Sequence, residues 1–196
     1  MKVLVILGHQ HPGSFCHAIA AAAVDQLRSA GHEAIFHDLY AERFDPILPH
    51  DEIPKDAPPN PIIQKHCAEV TAAGGYVVVH PNWWGQPPAI LKGWVDRVLR
   101  LGVAYEFGPG GTVVQHLAGK RALVLTTSNT PRDAELELFG DPLENLWSRC
   151  TFGFCGVPPE RFFRRNFESI ILSTPDERAE WLAEVGRLVA GCFPGT

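Results

Sequence analysis

Trp83 and Trp84 stand side by side between Pro81 and the run Gly85-Gln86-Pro87-Pro88, directly after the apolar stretch Val77-Val78-Val79. Two indoles in a proline-stiffened loop present large apolar faces that are costly to leave in water. Such a loop sets backbone amides beside aromatic faces, which suits a planar, electron-poor heterocycle; plain core packing is the competing reading. Two other stretches place small polar groups after apolar runs. Gly8 to Ser14 (GHQHPGS) opens a helical pattern, so Ser14 either only caps that helix or joins its N–H groups in seating a phosphate. Thr126-Thr127-Ser128-Asn129 ends another run in hydroxyls and an amide.

The same residues exclude several chemistries. The first loop is neither G-x-G-x-x-G nor a P-loop, which disfavours a dinucleotide-binding Rossmann fold and an NTPase. Ser14 is not in G-x-S-x-G and suggests no triad order, so a hydrolase is not expected. His9, His11 and His17 are close in sequence, but no carboxylate pattern or fourth ligand at a recognised spacing accompanies them, and no metal is expected.

The elements that must position these loops alternate along the chain. Lys2 to Leu7 is a continuous apolar run, the pattern of a strand buried on both faces. The helix capped by Ser14 runs to Gly31, and His32 to Leu39 reads as a second strand. Tyr40 to Pro61, rich in Pro and Asp and without period, is a long excursion. Helices are expected over Ile62 to Ala73 and over Ala89 to Arg100, the latter with Ile90, Leu91, Trp94, Val95, Val98 and Leu99 on its apolar face. Between them Tyr76 to Val79 is the central strand. After a loop containing Gly108, Gly110 and Gly111 comes a fourth strand, Arg121 to Thr127. Leu136 to Phe152 is helical, with Pro142 at a start or a kink, and Arg161 to Leu172 is a fifth strand. Thr174, Pro175 and Glu177 form a capping box that opens the last helix. These patterns predict an α/β three-layer sandwich on a five-stranded parallel sheet, one domain over residues 1–196, with the three loops converging at the carboxyl ends of the strands.

Charge and composition bound the partners. A net charge of -5 without blocks of like charge argues against nucleic acid and anionic membrane surfaces. No stretch reaches the roughly 20 apolar residues of a membrane span, and the opening run breaks too early at Gly8 for a signal peptide. The five cysteines are scattered, which suits reduced thiols, and a cytoplasmic location is expected.

The opening strand with GHQHPGSFCHA, the stretch HPNWWGQPPAILKGWVDRV followed by AYEF, and the strand ending in Thr126-Thr127 together resemble the flavodoxin-like NAD(P)H dehydrogenases of quinone-reductase type. That family includes ancillary oxidoreductases of potassium efflux and modulators of drug activity. The resemblance implies a homodimer with one flavin per subunit. It implies that His9, Ser14, Phe15 and Cys16 meet the ribityl and phosphate portion, and that Pro81, Asn82, Trp83, Trp84 and Gly85 meet the ring. Thr126, Thr127, Ser128 and Asn129 would follow the ring's pyrimidine side, and Tyr105 and Phe107 would reach the partner's substrate pocket. Cys16 replaces the family's usual Asn, and Ser128-Asn129 replaces a glycine pair. The family's Tyr and His proton relay is missing: its His position holds Phe139, and no tyrosine lies between Asn129 and Gly140.

The implied reaction is ping-pong hydride transfer from NADPH or NADH, through the flavin, to a quinone or similar small-molecule acceptor, with no catalytic side chain assigned. FAD is favoured over FMN because the pyrophosphate-sized first loop and the long excursion offer room for a second nucleotide. The alternatives are an electron carrier, a regulatory flavoprotein subunit of a transporter, and an azo- or nitro-reductase.

Overall fold

The computed structural model describes residues 1–54 and 57–195; residues 55 and 56 of the expected excursion, and residue 196, lie outside the described residues. Five parallel strands form the central sheet: β1 (Lys2–Leu7), β2 (Glu33–Asp38), β3 (Gly75–Pro81), β6 (Arg121–Thr127) and β7 (Phe162–Phe167), in the order β2-β1-β3-β6-β7. A separate antiparallel hairpin joins β4 (Tyr105–Phe107) to β5 (Val113–Gln115). Helices α1 (Phe15–Ser29) and α6 (Pro175–Cys192) cover one face of the sheet. The other face carries α2 (Pro61–Ala72), α3 (Ala89–Val98) and the segment Leu143–Phe152. Every residue of β3 is buried, as a central strand between two helical layers requires.

The sheet order reverses at β1: the chain steps to β2 on one side and returns to β3 on the other. Loops leaving β1 and β3 therefore part around a crevice, the usual place for a ligand in an open parallel sheet. They are tied to each other and to β6 by backbone hydrogen bonds, Gly8 N–H to Val79 O at 2.9 Å and Asn82 N–H to Thr127 O at 2.6 Å.

Three segments differ from the sequence reading. The region after Tyr105 is a β-hairpin rather than a plain glycine loop, because Val113–Gln115 turns back to pair with Tyr105–Phe107. The helical stretch expected from Leu136 begins earlier and is broken. Helix α4 (Arg132–Phe139) stops at Gly140 in the left-handed conformation, α5 (Pro142–Asn145) restarts under an Asp141 cap, and Leu146–Thr151 continues as a π-helical turn. Pro142 thus sits at a start, where its missing N–H costs nothing. The fifth strand ends at Phe167, and Ile170–Leu172 forms a 3₁₀ turn instead of extending it.

The excursion after β2 is held on α3 by buried charge. Arg97, 1% exposed, pairs with Glu52 through Nη2 at 2.7 Å and Nε at 3.2 Å, and its Nη1 donates to Asp45 O at 2.6 Å. The backbone of Pro46 lies against Gly93 so closely that an added Cβ would meet Pro46 O at 2.2 Å.

Candidate functional site

The turn after β3 is built around Asn82. Its Oδ1 accepts from Gly85 N–H at 2.9 Å, its Nδ2 donates to Glu135 at 2.8 Å, and Trp83 and Gln86 exchange both backbone hydrogen bonds at 3.0 Å. Trp84 and Gly85 occupy the two central positions with φ of 57° and 69°, as a two-residue type I′ turn demands. A tryptophan in the left-handed region stores about 1–2 kcal/mol. Burial does not offset it, since Trp84 is 102% exposed and Trp83 40%. Gly85 is forced by a second cause: a Cβ there would meet Pro142 Cγ at 2.6 Å.

Beneath this turn is a cavity of about 350 Å³ lined by Asn82, Trp84, Gly85, Thr130, Glu135, Phe139 and Pro142. Through Glu135 its wall joins a polar network. Asn166 accepts from the Thr126 hydroxyl at 2.9 Å and donates to Ser128 Oγ and Glu135 Oε2, each at 3.2 Å. Deeper, His80 is wholly buried as a neutral ring whose Nδ1 bonds Pro81 O at 2.8 Å and whose Nε2 accepts from Trp147 at 3.0 Å. Burial lowers its pKa to about 4, against the pull of the Pro81 carbonyl and with a further push from Arg164.

At the first loop Ser14 caps α1, and its hydroxyl bonds His17 Nδ1 at 2.8 Å, while His17 Nε2 bonds Asp38 at 3.1 Å. The sequence reading saw no such chain, because Asp38 reaches it only by the pairing of β2 with β1. The first two N–H groups of α1, those of Phe15 and Cys16, have no acceptor among the described residues, as the start of a helix leaves them. Cys16 is buried, its Sγ 3.3 Å from Thr127 Oγ1, and burial raises the thiol to about 11 against the pull of that contact. The side chain of Phe15 packs on Phe167 and Trp181. His9 lies beside His17 and is lowered by burial first, then by the His17 and His11 charges.

The third loop is less open than its sequence suggests. Thr126 is fully buried on Asn166, Ser128 N–H donates to Phe167 O, and the Ser128 hydroxyl donates to Thr130 O. Asn129 is exposed; its Oδ1 accepts from Ile171 N–H at 3.2 Å, which leaves its N–H₂ group without a partner among the described residues. Tyr105 and Phe107 do not join the Trp84 cavity. Tyr105 instead lines a depression with Leu48, Val95 and Leu99, and Phe107 is 56% exposed.

One histidine and carboxylate cluster was not legible in the sequence. His37, Glu42 and His66 bring ligand-type atoms within 4.8 Å of one another. It acts as a clamp: His37 bonds Glu42 and Glu69, each at 2.7 Å. His66 accepts from Trp94 on Nδ1 at 3.1 Å, so its neutral ring carries the proton on Nε2 and offers no lone pair to an ion.

Residues 1–188 match the family described as Flavodoxin-like fold. Ribosyldihydronicotinamide dehydrogenase (quinone) of Mus musculus is 33% identical, with 93% of this chain and 87% of that protein covered. NAD(P)H dehydrogenase (quinone) 1 of Rattus norvegicus is 30% identical, with 92% and 73% covered. Among solved structures, Smu.1420 from Streptococcus mutans has a TM-score of 0.85 and 31% identity over 97% of this chain and 100% of that one.

Proposed function

The chain belongs to the Flavodoxin-like fold family and is a relative of the NAD(P)H dehydrogenases (quinone), and from that premise we propose that it is a flavin-dependent NAD(P)H oxidoreductase passing two electrons to a quinone or a similar acceptor. The observation that carries this reading is Trp84, strained and wholly exposed in the loop that leaves β3, one of the two strands flanking the switch point of the sheet.

The residues present fit a flavin. The start of α1 with Ser14 offers N–H and hydroxyl groups, with the Asp38 carboxylate tied to His17, and donors at a helix N-terminus favour a phosphate. Trp83, Trp84 and Phe139 offer flat faces, and the Asn129 amide a hydrogen-bond donor, to the ring. A bound flavin supplies the acceptance and return of hydride. The chain would orient it: Asn82 fixes the Trp83–Gln86 turn, and Asn166 ties Glu135 in the cavity wall to the third loop. His9, Ser14, Phe15 and Cys16 take the ribityl and phosphate end in this reading, Pro81 to Gly85 the ring, and Thr126 to Asn129 its far edge. FAD is the favoured form, with FMN the alternative, on the ground that the first loop is of pyrophosphate size and the excursion after β2 is long enough to shelter a second nucleotide.

A homodimer belongs to the same reading. Tyr105 and Phe107 are apart from their own chain's cavity, so they serve an acceptor only across an interface, and the exposed Ile47, Leu48, Ile53, Val113 and Val114 give that interface apolar surface. Among the described residues no helix is long and apolar enough to cross a membrane. A cytoplasmic location is part of the proposal. The test is the visible spectrum of the purified protein, chromatography of the released cofactor, and bleaching by NADH and NADPH followed by recovery with a quinone. A colourless protein that cannot be reconstituted with FAD or FMN refutes the reading; flavin that neither nucleotide bleaches favours an electron carrier.

A further inference from the structure

After α5 the chain is wound too widely for an α-helix. Phe152 N–H donates to Trp147 O at 3.0 Å and Phe154 N–H to Arg149 O at 2.9 Å, each five residues back, in and just after the π-helical turn Leu146–Thr151. Such turns are rare and recur at functional sites. The sequence accommodates this one with Gly153, where an added Cβ would meet Ser148 O at 2.2 Å. In an α-helix, residues five apart stand about 140° round and about 7.5 Å along the axis, out of reach of each other. Here Cys150 and Cys155 line one cavity of about 200 Å³, which Tyr105 and Phe154 also line with their rings edge-on at 5.1 Å. All five cysteines are free, and Cys150 alone is exposed. Cys155 is 3% exposed, and burial pushes its thiol up to about 11. The pair thus joins an accessible sulfur to a protected one. Gln115 Nε2, from β5, donates to Gly153 O at 3.3 Å and to Phe154 O at 3.0 Å, so the turn is tied to the hairpin that carries Tyr105.

We propose that Cys150 and Cys155 are an oxidisable thiol pair whose oxidant is a hydroperoxide, and that their disulfide closes the cavity beside Tyr105. In the first step the Cys150 sulfur attacks one peroxide oxygen, the O–O bond breaks, and a sulfenic acid and a molecule of water form. In the second the Cys155 sulfur attacks the Cys150 sulfur, the S–O bond breaks, and the hydroxyl leaves as water with the Cys155 proton. The two sulfurs lose two electrons and the peroxide gains them. A protonated thiol is a poor nucleophile towards an external reagent, but a sulfenic acid in the same cavity meets it as an intramolecular partner. A disulfide spans Cα atoms no more than about 7 Å apart, which excludes residues five apart in an α-helix and makes the wide turn the enabling feature. Closure acts on Tyr105, and this consequence alone rests on the NAD(P)H oxidoreductase reading.

The test exposes the purified, reduced holoprotein to hydrogen peroxide, labels the remaining thiols with N-ethylmaleimide in denaturant, and maps the products by peptide mass spectrometry. A Cys150–Cys155 disulfide within one chain is expected, reversed by dithiothreitol, with Cys16, Cys67 and Cys192 still labelled. Cys150→Ser should leave Cys155 reduced under the same exposure, and Cys155→Ser should stop Cys150 at the sulfenic acid, trapped by dimedone. Cys150 is exposed, so its replacement leaves the core intact even if Cys155→Ser does not fold. Cys150 oxidised in the parent protein without a bond to Cys155, Cys150 bonded to another chain, or Cys150 untouched at a peroxide exposure that oxidises glutathione overturns the proposal. The oxidised protein should lose turnover with a quinone while NAD(P)H still bleaches its flavin. A disulfide that leaves that turnover unchanged overturns the closure. Flavin of the reduced protein that NAD(P)H does not bleach refutes the oxidoreductase reading, and the peptide map reports on the thiol pair regardless.

Discussion

Gly93→Ala sets two opposed effects of known size against each other. In the interior of α3, alanine is favoured over glycine by about 1 kcal/mol, so helix propensity alone predicts a more stable protein. The tertiary contact predicts the reverse. The new Cβ would lie 2.2 Å from Pro46 O and 2.4 Å from its Cα and Cβ, and a proline backbone has no rotamer that moves it away. Overpacking of this kind costs about 1–3 kcal/mol when the neighbours give locally. The segment cannot lift freely either, because Arg97 holds the adjacent Asp45 carbonyl and Glu52, and opening a buried ion pair costs about 3–5 kcal/mol. With backbone contacts this close the cost falls at the upper end, about 3 kcal/mol, and after the propensity gain of about 1 kcal/mol a net loss of about 2 kcal/mol follows, equivalent to a fall of about 1 M in the urea midpoint. Gly186→Ala in α6 is the internal control: its nearest neighbour is the flexible Gln26 side chain at 3.6 Å, and it should gain about 0.5–1 kcal/mol. Urea unfolding followed by tryptophan fluorescence reads both variants. A Gly93→Ala protein as stable as the parent, or more so, refutes the argument.

Two further outcomes test other parts of the structure. Trp84→Ala should weaken flavin retention about tenfold with little change in the urea midpoint, because the indole is exposed rather than packed in the core and lies on the ring in the proposed reading; Tyr105→Ala should keep its flavin and alter only the kinetics with the acceptor, and equal flavin loss in both would show that the two aromatics do not have separate roles. Stability should fall on acidification from about pH 6.5 towards about 4. His66 is lowered to about 3, by burial and then by the His37 and Lys65 charges, and His80 to about 4. Both folded values lie below the unfolded one, so the unfolded chain binds more protons and the stabilisation, complete above the unfolded value, is lost as pH drops. A urea midpoint that is flat across that interval would mean that these rings are not held neutral.

Periodicity made the sheet legible, since β1, β3 and β6 are apolar runs of the length that a doubly covered parallel strand requires, and local chemistry made the caps at Ser14 and Thr174 legible. The convergence of three loops followed from strand order alone. The hairpin of β4 and β5 escaped because three-residue strands flanked by glycines carry no periodic signal. The resemblance rests heavily on PAILKGW, yet the reason for its glycine is a proline 47 residues earlier, pressed on α3 by Arg97.

The site divides in the same way. Aromatic pairing and the surrounding prolines marked Trp83 and Trp84 as exposed at a strand end, a property of local chain stiffness and of the cost of an unburied indole. Which donors remain open to a ligand depends on contacts between distant segments. Ser128 and Thr126, both expected beside the ring, have their hydrogen bonds taken by β7 and the loops around it, whereas Glu135, one residue before the helix expected from Leu136, is carried by α4 into the cavity wall. The sequence by itself determined the fold class, the caps and the loops that make up the candidate site, because periodicity and turn chemistry act over a few residues. Only the tertiary structure decided which polar groups are spent on one another and which face the ligand, because a hydrogen bond has one partner at a time and that partner is set by packing.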